Sequence, residues 1–203
     1  MPISLVLPLL FSSALLQAAD ADLIEELDAS VARTGYFSLM RTPNEVLGGR
    51  DADHLNPVLL ATEQVEWLVF VPRNYDPARP PGVLAFVSSI EWGGIPTDWK
   101  PVMEKKNLIW ISASGAGSSA PVQQRIVKAI IAPRAIDRDY QVDMDRIYVA
   151  GFADGGKVAN LVQGAEPGVF KGVPYDLEEE SLLRIEDIGC LRIDLEKFGV
   201  KGF

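Results

Sequence analysis

Cysteine and histidine are nearly absent from this chain of 203 residues, where Cys190 and His54 stand alone. A single cysteine closes no intrachain disulfide and supports no multi-cysteine zinc site, so stability must come from a packed core. A single histidine leaves any imidazole-dependent mechanism with His54 and nothing else. Basic residues are scarce too. Nineteen Lys and Arg face 28 Asp and Glu, a net charge of -9 that repels phosphate backbones, so no nucleic acid partner is expected. Residues 3–18 carry no charge but fall short of the roughly 20 apolar residues that a spanning helix needs. They suit the apolar core of a signal peptide, and Ala19-Asp20-Ala21 offers a small-x-small cleavage pattern, although no Lys or Arg precedes the run. Residues 1–21 are therefore expected to be a signal peptide and residues 22–203 one domain. The mature protein is expected to be secreted or periplasmic, with no stable membrane span after cleavage. An uncleaved anchor or a buried helix is the other reading of the same run.

What is present is an ordinary globular composition, 48% apolar and 23% charged, enough at this length for a domain that buries about two thirds of its unfolded surface. Residues 22–64 read as irregular beyond one short amphipathic candidate at 22–32, because Gly35, Pro43, Gly48, Gly49 and Pro57 break any period. After them the chain alternates. VEWLVFV at 65–71 and VLAFVS at 83–88 are β-rich runs separated by turn-forming residues, and they are expected to be neighbouring strands. Residues 97–106 suit a short helix capped by Thr97 or Asp98, and LIWIS at 108–112 suits a buried strand. A long helical pattern covers 121–138, with Val122, Ile126 and Ile130 on one face and Pro133 expected to kink or split it. RIYVA at 146–150 gives another strand and 155–163 another helix. Short apolar strands joined to helices by glycine turns imply an α/β fold, a mainly parallel sheet with helices on both faces.

The turn Gly151-Phe152-Ala153-Asp154-Gly155-Gly156 joins such a strand to such a helix. This is the setting of a nucleophile elbow, G-x-S-x-G, in which the central residue is sharply turned and the residues two before and two after must be small. Gly151 and Gly155 meet that demand around position 153. The following helix aims its first N–H groups at the turn, where they would stabilise a developing oxyanion. Only the attacking atom is missing, since the methyl group of Ala153 neither loses a proton nor carries an acyl group. Asp154 does not replace it, because an elbow centred there would place Phe152 where a small residue is required. A glycine-rich strand-to-helix turn without chemistry is the plainer reading of the same pattern.

Around this turn lie Phe70-Val71-Pro72-Arg73-Asn74-Tyr75-Asp76-Pro77, then Pro80-Pro81-Gly82-Val83-Leu84-Ala85-Phe86-Val87, and then Tyr140-Gln141-Val142-Asp143-Met144-Asp145-Arg146-Ile147-Tyr148-Val149-Ala150-Gly151-Phe152. Over residues 65–172 the chain resembles α/β-hydrolase esterases, more narrowly secreted esterases of the polyhydroxybutyrate-depolymerase and feruloyl-esterase type. The resemblance implies an α/β-hydrolase-like fold and a small-molecule or polymeric ester as partner, with no cofactor and no metal. It places the nucleophile position at Ala153, the elbow glycines at Gly151 and Gly155, and the oxyanion and binding residues at Asp154, Ser88 and Ser89. Two departures follow from it. The acid and histidine of such esterases come after the elbow, whereas His54 precedes the first matched strand; and residues 172–203 leave room for two short elements where several more are needed, so the domain is expected to be incomplete on its C-terminal side. The resemblance therefore implies an ester-hydrolase lineage without activity, or else a secreted binding or interaction protein on the same scaffold.

The remaining signals are weaker. Gly115-Ala116-Gly117-Ser118-Ser119-Ala120 fits the dinucleotide fingerprint formally, but the acids that follow, Asp137 and Asp139, fall at a helix end and not at the end of a strand. Ser112, Ser114, Ser118 and Ser119 could bond a ligand or simply solvate loops. Asp176, Glu178, Glu179, Glu180, Glu186 and Asp187 lack EF-hand spacing and read as a solvated face. Trp92, Trp99 and Trp110 suit a core better than a pocket, and Cys190 suits a buried apolar position.

Overall fold

The computed structural model describes residues 32–171, and every element below lies in the compact unit that begins at Thr34. In chain order these are β1 (Gly35–Arg41), α1 (Pro43–Leu47), α2 (Gly49–Asp53), β2 (Val65–Val71), β3 (Gly82–Val87), α3 (Trp99–Lys106), β4 (Leu108–Ala113), α4 (Val122–Asp137), β5 (Ile147–Gly151) and α5 (Asp154–Ala165). The five strands form one sheet in the order β1-β2-β4-β3-β5. β2 is antiparallel to both of its neighbours, while β4, β3 and β5 run parallel, so four strands point one way and β2 alone opposes them. The expected mainly parallel sheet is present.

Burial explains the strand sequences. All six residues of β3 and all six of β4 are buried, which is why these runs are almost purely apolar instead of alternating. On one face Leu84, Phe86, Leu108 and Trp110 meet Trp99 and Met103 of α3. Phe86 anchors this cluster, with its ring 5.5 Å from Trp99 and 5.8 Å from Trp110. On the other face α4 lies against β3 and β4 and brings Ala129 and Ala132, whose small side chains permit a close approach to Ala85 and Ile111. Helices therefore cover both faces. This leaves the carboxyl ends of the parallel strands as the place where loops converge.

Several expectations are corrected. The stretch read as irregular contains β1, an edge strand paired along its whole length from Gly35↔Val71 to Arg41↔Val65. Only Phe37 of its seven residues is buried, so its own sequence lacks a strong strand pattern and its partner β2 supplies the order. β2 and β3 are not neighbours, because β4 sits between them. Their connection, stiffened by Pro72, Pro77, Pro80 and Pro81, is too long for a tight hairpin and crosses the gap left for β4. Pro133 does not split α4, which is continuous over 16 residues; the buried packing on both sides of Pro133 holds the helix through one missing N–H bond. The amphipathic candidate at 22–32, save for Ala32, and the signal-peptide segment lie outside the described residues, as do Cys190 and the acidic cluster from Asp176 to Asp187.

Candidate functional site

β5 ends at Gly151, and α5 begins at Asp154 with Ala153 as its N-cap. Ala153 holds φ 52° and ψ -121°. At positive φ the Cβ of an L-residue crowds the backbone, a conformation that costs about 1–3 kcal/mol and persists only where the surroundings enforce it. Here they do. Backbone bonds from Gly155 N–H to the Phe152 carbonyl, 2.9 Å, and from Gly156 N–H to the Ala153 carbonyl, 3.1 Å, close the turn. A Cβ on Gly151 would land on the backbone of Gly155, and 2.7 Å from the Gly156 nitrogen; a Cβ on Gly155 would land on the carbonyl oxygen of Val87 at the end of β3. The glycines on either side of position 153 thus answer to two separate collisions, one with the new helix and one with the neighbouring strand. Ala153 itself is exposed.

The loop after β3 is tied to this turn through Asp154. Arg125 of α4, 3% exposed, donates from Nη1 to Asp154 Oδ2 at 2.7 Å and from Nη2 to the Ser88 carbonyl at 2.8 Å. Ser118 Oγ lies 2.8 Å from Asp154 Oδ1 and 2.8 Å from the Ser89 carbonyl, and the Ser118 N–H donates to that same carbonyl at 3.0 Å. The Ser88 hydroxyl accepts the Ile90 N–H at 3.1 Å. One carboxylate is therefore linked through two donors to the consecutive carbonyls of Ser88 and Ser89. Farther along, Gly115 N–H bonds the Glu91 carbonyl at 2.8 Å, and Ser119 Oγ bonds the Glu91 carboxylate. The loops after β3 and β4 are zipped together.

Electrostatics fix the charge on this network. Partial desolvation pushes the Asp154 carboxyl up, but hydrogen bonds from Arg125 and Ser118, the Arg125 charge and its own backbone N–H together outweigh that push, so its pKa lies below the ordinary aspartate value. Asp154 stays ionised at neutral pH. A carboxylate so held, bonded by Arg125, Ser118 and its own backbone N–H, is a poor general base. It works as a strut.

The sequence-derived site residues Ala153, Asp154, Ser88, Ser89, Gly151 and Gly155 are brought together at one corner of the sheet. His54 is not among them. It is the exposed C-cap of α2, in the connection between β1 and β2 at the sheet edge opposite β5. Trp99 and Trp110 are core, whereas Trp92 is 61% exposed. Ser112 is buried, and its hydroxyl has no partner among the described residues. In the fingerprint-like loop, the Gly115 and Ser118 amides that a pyrophosphate would use are bonded to Glu91 and Ser89 instead. Among the described residues no group of three or more His, Cys, Asp or Glu side chains could hold a metal, and no helix is long and apolar enough to cross a membrane. Sequence reasoning missed Arg125. An arginine within an apolar helical stripe, at a position that faces the sheet, was the available signal, since such a charge is buried only when it is paired.

No family model matches the chain, and no curated protein matches it. Among solved structures it is similar to an acetyl xylan esterase from Aspergillus awamori, at 16% identity and TM-score 0.46 over 54% of this chain and 45% of that one. It is similar also to a thermostable esterase, at 15% identity and TM-score 0.45 over 75% and 44%, and to dipeptidyl peptidase 4 from Porphyromonas gingivalis, at 20% identity and TM-score 0.44 over 56% and 18%. The chain thus spans between 18% and 45% of the length of these solved proteins.

Proposed function

We propose that this chain belongs to the lineage of serine carboxylic-ester hydrolases and, with Ala153 at the nucleophile position, does not cleave esters. One observation carries the reading: a residue with no functional group occupies φ 52° and ψ -121° between β5 and α5, flanked by glycines whose Cβ atoms would strike backbone. Nothing in the needs of a plain strand-to-helix turn asks for that conformation, while an outward-facing nucleophile does. In an active esterase a serine oxygen at this place attacks the carbonyl, a histidine takes its proton, and backbone N–H groups hold the oxyanion. Here the donors can remain, but attack and proton transfer have no atoms to perform them. The ligand is accordingly a small-molecule or polymeric ester, met outside the cytoplasm if the first 21 residues act as a signal peptide.

The test is turnover of p-nitrophenyl acetate and p-nitrophenyl butyrate by the purified chain, beside an Ala153→Ser variant. Both should match the uncatalysed rate, since the variant restores the nucleophile without its base. Turnover that copurifies with the native chain and saturates would overturn the proposal. A non-catalytic binding protein is the second reading, supported by the clamp that keeps the loops after β3 and β4 in place in the absence of a nucleophile. Saturable binding of an ester without turnover separates it from a scaffold that has lost the site altogether.

A further inference from the structure

The Arg125 clamp pulls on carbonyl oxygens, and that has a directional consequence for the amide beside them. A trans peptide is planar, so its C=O and N–H point in opposite directions. No cis peptide bond occurs among the described residues. The Ser88 carbonyl points at Arg125 Nη2, 2.8 Å away in a buried contact, so the N–H of the same peptide, that of Ser89, points away from Arg125. The next peptide is held likewise: the Ser89 carbonyl is bonded by both the hydroxyl and the N–H of Ser118. The Ile90 N–H opposite that carbonyl is already used by the Ser88 hydroxyl. The Ser89 N–H has no acceptor among the described residues. This donor sits in the segment against which Gly155 packs, within the first turn of α5.

We infer that Arg125, assisted by Ser118, is a positioning residue that turns the Ser88–Ser89 peptide and thereby presents the Ser89 N–H to an acceptor oxygen at the elbow, the carbonyl of an ester or one oxygen of a carboxylate. The inference rests on the reading of the elbow as a ligand site but makes its own claim, about what sets the direction of one amide. Arg125 suits the task because its planar fork serves two acceptors at once, Asp154 on α5 and Ser88 after β3. Lysine offers no such fork. The single proton of Ser118 Oγ is shared between two acceptors, Asp154 Oδ1 and the Ser89 carbonyl, so Ser118 contributes less than Arg125.

The experiment uses the full chain labelled with ¹⁵N and ¹³C, in native form and as Arg125→Met, Arg125→Lys and Ser118→Ala. Without ligand, Arg125→Met should shift the Ser88 carbonyl carbon and the Ser89 amide while the β1–β2 resonances stay in place, and Arg125→Lys should fail to restore them. With methyl butyrate and butyrate as separate probes, the Ser89 amide proton should move downfield and saturate in the native chain. Dissociation constants should rise about tenfold in Arg125→Met and about threefold in Ser118→Ala, in line with losing a charge-assisted and a neutral hydrogen bond. Response to methyl butyrate identifies the neutral carbonyl as the ligand, and response to butyrate alone identifies the carboxylate. Unchanged Ser88 and Ser89 shifts in a folded Arg125→Met chain would overturn the inference. If that variant does not fold, Ser118→Ala decides in the same way, since it buries no charge. A native chain in which no elbow amide responds to either probe defeats the ligand reading, while the ligand-free spectra still judge Arg125.

Discussion

Replacing Ala153 by glycine should stabilise the protein, because glycine takes up a positive φ without steric cost and suits a helix N-cap better than alanine. Ala153 holds φ 52° and ψ -121°, and a non-glycine residue in so sparsely populated a region costs about 1–3 kcal/mol. Glycine removes the Cβ that causes the crowding. Against that gain stands the greater freedom glycine has in the unfolded chain, about 0.5–1 kcal/mol. Ala153 is exposed, so no buried contact is lost with the methyl. The balance favours Ala153→Gly by about 1 kcal/mol, which for a domain of this size raises the melting temperature by about 2–4 °C. Urea unfolding followed by circular dichroism measures it directly, provided that the slope with denaturant is unchanged between the two proteins. A loss of about 0.5–1 kcal/mol, the usual penalty for glycine at a relaxed position, would refute the reasoning, because it would mean that no strain is stored at position 153.

Other outcomes follow from the same geometry. Gly155→Ala puts a Cβ onto the Val87 carbonyl and should cost about 1–3 kcal/mol, read as a lower urea midpoint, whereas a neutral result would show that β3 and the elbow are not in contact. The depressed pKa of Asp154 means that its stabilising contribution is complete above the ordinary aspartate value of about 3.9 and disappears as pH falls through the lower folded-state value. Asp154→Asn should therefore flatten the acid side of the stability profile, and urea midpoints measured from pH 6 down to pH 2 would reveal an unaltered slope if the ion pair with Arg125 contributes nothing.

The elbow was legible because its constraint is local. Gly151, Ala153 and Gly155 lie within five residues, and the sterics of one turn dictate their spacing wherever the rest of the chain goes. The apolar runs of β3 and β4 were equally plain, since burial on both faces leaves no polar positions. β1 was hidden for the opposite reason: an edge strand with Tyr36 and Met40 exposed borrows its order from hydrogen bonds to β2. The insertion of β4 between β2 and β3 is a long-range choice that no window of sequence contains. The clamp was invisible too, because Arg125 and Asp154 stand 29 residues apart and Arg125 and Ser88 37, and only the seating of α4 on the sheet brings them together. Where sequence and structure agree most closely is at a strained turn whose central residue has no chemistry of its own.

That coincidence is most directly examined by intact-mass analysis of the purified chain after incubation with a fluorophosphonate and, separately, with p-nitrophenyl butyrate. An elbow without a nucleophile leaves the mass unchanged with both reagents. A stoichiometric phosphonyl or butyryl adduct, mapped to any serine of the loops around Ala153, would contradict the account and show that this corner of the sheet still carries an activated nucleophile.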